Sequence, residues 1–133
     1  MSHFLHDRLP ALVWWALSVV VLVLPGSATP VGPPWLIRFA AAGGDKLVHA
    51  LVFFGLALLT VRALRPLDRR RALGWSVALG VLWAPLSEWI QRRVPYRDAS
   101  LADVAADLVG LALAVMLVWW RGGTGRALSS ERR

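Results

Sequence analysis

The sequence predicts an all-α fold: an integral membrane bundle of four transmembrane helices, with both termini cytoplasmic. Three observations carry this. The chain of 133 residues is 57% hydrophobic, and its apolar residues fall in blocks, not amphipathic stripes. Each block is close to the roughly 20 residues a helix needs to cross a hydrocarbon core. Arginine stands mainly between the blocks, as topology signals do. Three short polar clusters each occupy one end of a block: Asp45-Lys46-Leu47-Val48-His49, Glu88-Trp89-Ile90-Gln91, and Arg97 followed by Asp103 and Asp107.

The membrane domain spans residues 1–121, with helices at about 9–24, 46–64, 72–91 and 101–120. The first is closed by Pro25-Gly26. Its basic flank is Arg8 alone, offset by Asp7, so the block reads as a retained helix and not a cleaved signal peptide. Residues 25–34, with four prolines and two glycines, form a loop. Trp35-Leu36-Ile37-Arg38-Phe39 reads as an interfacial segment, with tryptophan at headgroup depth. Gly43-Gly44 breaks the chain before the second helix, and Asp45 is its expected N-cap. A polar hinge over 65–71 leads to the third helix, where Pro85 frees a carbonyl and is expected to kink the axis. After a polar loop at 92–100, the fourth helix ends on Trp119-Trp120-Arg121, an aromatic belt and a positive anchor. Residues 122–133 read as a flexible cytoplasmic tail.

Arginine and lysine counts set the topology. The N-terminus, the 62–71 hinge and the tail hold ten; the 25–46 and 92–100 loops hold five. The first group therefore lies inside, which brings all three clusters to the extracytoplasmic face. The net charge of +7 is a topology signal in this pattern, so membrane lipids are the expected partners and nucleic acid is not. The absence of cysteine excludes disulfides and thiolate sites.

Asp45 and His49 are four residues apart, on one face of the second helix. Asp103 and Asp107 repeat the spacing on the fourth, where Gly110 and Ala114 continue a narrow face that admits a close neighbour. On the third, Ala72, Ser76, Gly80 and Ala84 form a small-residue ridge with Glu88 as its next member, and Gln91 lies one turn beyond. The candidate catalytic groups are His49, Glu88 and Asp103. The candidate ligand-binding groups are Asp45, Lys46, Gln91, Arg97 and Asp107. Four carboxylates close together repel, so some must be protonated, paired or metal-bound. His49 with two or three carboxylates could hold a divalent metal, but no HExxH-like spacing is present and no residue is assigned to one. Lys46 is the one lysine beside fourteen arginines. Its flexible ammonium can do chemistry that guanidinium cannot. The same ion pairs could also fix helix register with no ligand at all.

The ordered set Asp45-Lys46-x-x-His49-x-x-x-Phe53, Glu88-x-x-Gln91, Arg97 and Asp103-Val-Ala-Ala-Asp107-Leu-Val-Gly110 resembles the VanZ-like family of small bacterial integral membrane proteins. The chain departs from that pattern at Asp107, where the family usually has asparagine. The resemblance implies a multi-pass protein of the bacterial plasma (inner) membrane with a cell-envelope role, linked in one named member to low-level resistance to the antibiotic teicoplanin, a glycopeptide.

The functional expectation is a cell-envelope protein that binds or processes a lipid or cell-wall-related ligand at the extracytoplasmic face. Whether a reaction follows stays open, and no cofactor is specified. In an acid/base version, His49 and Glu88 carry protons, Lys46 and Arg97 grip an anion, and the aspartates orient them. The alternatives are a non-enzymatic membrane binding or structural protein and a proton-coupled small transporter. A transporter usually needs an acid near mid-membrane, and the four intramembrane acids here lie at one end.

Overall fold

A computed structural model of the chain describes residues 2–23, 33–95 and 100–130, with side chains throughout these except at 2–5, 22, 23, 36, 40, 41 and 122–130. Five α-helices appear there: α1 (Ser2–Val23), α2 (Pro34–Phe39), α3 (Asp45–Ala63), α4 (Arg69–Gln91) and α5 (Leu101–Ser130). A π-helical turn, Ala40–Gly44, joins α2 to α3. The central helix is α3, packed against α1, α4 and α5; α4 also meets α5 and α1.

Local chemistry sets the helix ends. Gly43 takes φ +86°, the left-handed region open to glycine, and breaks the helical path before α3. Gly44, which has no side chain to cap with, is the N-cap of α3, and Asp45 is its first helical residue, which corrects the N-cap expected at Asp45. The Asp68 carboxylate accepts the Arg71 backbone N–H at 3.0 Å. This cap draws the three arginines of the expected hinge into the first turn of α4. Ser100 Oγ accepts the Ala102 N–H at 3.1 Å at the start of α5.

Two ends differ from expectation. α1 starts at Ser2 and carries Pro10 within it; a proline in a helix interior removes one backbone bond, a loss the rest of the 22-residue helix outlasts. α5 continues to Ser130, so the backbone of 122–130 is helical where an irregular tail was expected. Adding residues to a formed helix costs far less than nucleating one, which outweighs the poor propensity of the glycines. The 25–34 loop lies outside the described residues up to 32, as do residues 96–99 of the 92–100 loop.

The interior is built from small and polar residues. On α4 the ridge Ala72, Ser76, Gly80, Ala84 and Glu88 is buried. Ala84 packs on Phe53 of α3, Ser76 donates to the Ala57 carbonyl at 3.2 Å, and Gly80 lies against Leu111 of α5, which clusters with Ala57 and Ala114. A Cβ on Gly110 would stand 2.0 Å from the Ala50 carbonyl oxygen, so glycine there lets α3 and α5 touch backbone to backbone. Trp14 covers Gly55 and donates its indole N–H to Val52 O at 3.0 Å. Trp15 donates to Thr60 Oγ1 at 3.2 Å and stands edge-on to Trp83.

The exterior is apolar. Leu12, Val20, Leu51, Trp75, Leu82, Leu101 and Met116 are all more than half exposed. Two stretches, Ala42–Ala63 and Leu101–Arg121, are long and apolar enough to cross a membrane. Four were expected. Among the described residues, the apolar run of α1 begins only at Leu9, and α4 is diluted by Arg69, Arg70, Arg71, Glu88 and Gln91.

Candidate functional site

Three helix ends bring the polar clusters together. α3 begins at Asp45, α4 ends at Gln91 and α5 begins at Leu101, so all three termini lie at the same end of the bundle. His49 stands one turn inside α3 and is buried. Asp107, between one and two turns into α5, is fully buried and meets it, with His49 Nδ1 2.9 Å from Asp107 Oδ1. A carboxylate only accepts hydrogen bonds, so an ionised Asp107 holds the His49 proton on Nδ1 and leaves Nε2 for other chemistry.

Glu88 ends the small-residue ridge of α4, and its burial follows from that register. Its Oε2 accepts the Ser100 backbone N–H at 2.9 Å, and its Oε1 accepts from Gln91 Nε2 at 3.3 Å. Asp103, in the first turn of α5, is 5% exposed. One ring nitrogen of His49, one oxygen of Glu88 and one of Asp103 lie within 4.8 Å of one another. Two carboxylate oxygens in this region, Asp103 Oδ1 and Asp107 Oδ2, are buried without a hydrogen bond.

Lys46 lies at the rim. Its Nζ is 2.9 Å from Asp45 Oδ2 and 3.4 Å from Asp103 Oδ1. The second is an ion-pair contact without hydrogen-bond alignment, which is why Asp103 Oδ1 is still an unsatisfied acceptor. The Asp45 and Lys46 side chains are nearly half exposed, so Asp45 stands at the rim, one turn above buried His49. Arg93, just past the end of α4, lies over Trp89 of that helix, 3.5 Å from the ring centroid. Arg97 lies outside the described residues.

The structure thus brings His49, Glu88, Asp103, Asp107 and Gln91 into one buried group, with Asp45 and Lys46 above it. Sequence reasoning missed Ser100, whose N–H holds Glu88. The Ser100-x-x-Asp103 spacing before an apolar run is a helix-start signature that could have shown it. Asp107, a ligand-binding candidate, also holds His49 through its Oδ1. Chemically, the group offers an imidazole held by a carboxylate, further carboxylates able to take protons or cations, and one ammonium at the entrance.

No protein-family model matches the chain, and no solved structure matches it. Among curated proteins, it is similar to an uncharacterized protein of Schizosaccharomyces pombe, 38% identical over 74 residues, or 55% of this chain and 45% of that protein. The chain spans about half the length of the curated relative it matches.

Proposed function

We propose that this chain is a VanZ-like integral membrane protein of the bacterial plasma membrane. In this reading α1, α3, α4 and α5 cross the bilayer with both termini cytoplasmic. The buried group at the extracytoplasmic end receives the anionic head of an envelope lipid or lipid-linked cell-wall ligand. The observation that carries it is an inverted polarity. His49, Glu88, Gln91, Asp103 and Asp107 are inside, while large apolar side chains on every long helix are outside. Water as solvent favours the reverse distribution, and lipid favours this one. Lys46, half exposed beside buried Asp103, suits an entrance that meets a phosphate or carboxylate. Where the ligand is turned over, His49 and Glu88 are the groups able to move protons.

A second reading has its own support. His49 with Asp107 and Lys46 with Asp45 are paired internally, which suits a non-enzymatic protein whose pairs fix helix register.

The test is binding of a polyprenyl phosphate to the full chain in nanodiscs. The reading expects preference over a neutral lipid, weakened by Lys46→Arg about tenfold, or roughly 1.4 kcal/mol. Equal binding of both lipids would sink it. Full retention of binding by Lys46→Arg would favour the register reading. Reporter fusions at residue 133 and within 25–34 check the topology, with a periplasm-dependent reporter active only in the loop. Teicoplanin susceptibility of a host expressing the chain checks the link to glycopeptide resistance.

A further inference from the structure

We propose that His49, Glu88 and Asp103 form a site for one divalent first-row transition ion, of the Zn2+ or Mn2+ class, between α3, α4 and α5. The proposal rests on the reading of this group as a ligand site and names what would meet an anionic head there. Four observations converge. The first is geometry: a nitrogen and two carboxylate oxygens from three helices lie within 4.8 Å of one another. Donors around an ion at about 2.1 Å sit roughly 3–4 Å apart, so side-chain rotations of about one ångström close the set.

The second is orientation. Asp107 Oδ1 engages Nδ1 of His49 at 2.9 Å, which is how an outer carboxylate fixes a ligating histidine and leaves Nε2 for the metal. Glu88 is fixed likewise by the Ser100 N–H and Gln91. The third is unmet demand: Asp103 Oδ1 and Asp107 Oδ2 are buried with no hydrogen bond. The fourth is charge. Glu88, Asp103 and Asp107 are each at most 5% exposed. Among the described residues, the positive groups paired with these carboxylates are Lys46, shared with exposed Asp45, and His49. Buried carboxylates call for compensation, which a divalent cation supplies. One imidazole with carboxylates selects a transition ion over Mg2+ or Ca2+, which prefer all-oxygen shells.

The experiment uses the full chain, purified in detergent, stripped with chelator and titrated with Zn2+, Mn2+ or Mg2+ alone. We expect about one Zn2+ or Mn2+ per chain and much weaker Mg2+ binding. Glu88→Gln and Asp103→Asn should each weaken binding by more than about tenfold, and Asp107→Asn by about tenfold through its hold on His49. Should a variant fail to fold, pulsed electron paramagnetic resonance on the Mn2+-loaded wild-type chain must still show a coupled imidazole nitrogen, lost in His49→Ala. No stoichiometric ion, or an ion without nitrogen coupling, would overturn the site. An ion bound with no polyprenyl phosphate binding supports the site and defeats the ligand reading. Polyprenyl phosphate bound equally with and without ion, with no metal taken up, overturns the site and leaves the ligand reading standing.

Discussion

The two ends of the bundle use the same residue types in opposite ways. At one end Asp7 meets Arg62 at 3.3 Å and Arg65 at 3.8 Å, Asp68 meets Arg71 at 3.1 Å, and Arg69 donates to the carbonyls of Val118 and Trp119. The side chains in these three ion pairs are all a third or more exposed. At the other end, about 20 Å away along α3 by helical rise, His49 and Asp107 pair with side chains 6% and 0% exposed. Water screens the first set and lets each partner find a substitute, so each pair contributes little. The buried set has no such recourse: each group is costly alone and depends on its partner. Arginines at the exposed end make screened pairs, whereas the buried groups at the other end depend on one another.

The largest expected effect comes from breaking the contact that forces His49 against Asp107. Gly110→Leu puts side-chain atoms where a Cβ already stands 2.0 Å from Ala50 O. Separating α3 from α5 should cost more than about 3 kcal/mol. Thermal unfolding in detergent would read it, beside Gly74→Ala, where a Cβ meets nothing within 4 Å and helix propensity improves by up to about 1 kcal/mol. Equal stability of the two variants would mean that the acidic end does not rest on this close approach.

Next is Asp107→Ala, which leaves buried His49 without its partner and should cost about 3 kcal/mol. Asp107→Asn keeps an acceptor for Nδ1 and should stay within about 1 kcal/mol of the parent. Similar unfolding temperatures for the alanine and asparagine variants would show that the pair is not what holds this end.

Much of the acidic end was legible because helical spacing is a strong constraint. The four-residue ridge Ala72, Ser76, Gly80, Ala84 puts Glu88 inside, and the Asp103, Asp107, Gly110 face does the same on α5. Spacing could not say which carboxylate would meet His49, because that depends on how far α3 slides along α5. Nor could it place the cap, which falls on Gly44 and leaves Asp45 as the first helical residue, at the rim one turn above His49. The helical stretch after Trp120 was missed because composition weighs glycine propensity and not the helix already running into it.

The smallest expected effect lies at the basic end. Asp7 is 34% exposed and touches two arginines, Arg62 and Arg65, that are 37% and 65% exposed. Asp7→Asn should cost no more than about 1 kcal/mol. Even that should shrink in concentrated salt, because the screening length falls from about 10 Å at 0.1 M to about 3 Å at 1 M. The Asp107→Ala penalty should hardly respond to the same change, since neither His49 nor Asp107 faces solvent. Unfolding temperatures of both variants at the two salt concentrations measure the contrast directly. If the Asp7 penalty exceeded that at Asp107, or survived high salt while the other faded, exposure would not be what separates the two ends. The basic end would then hold the bundle as firmly as the buried cluster does.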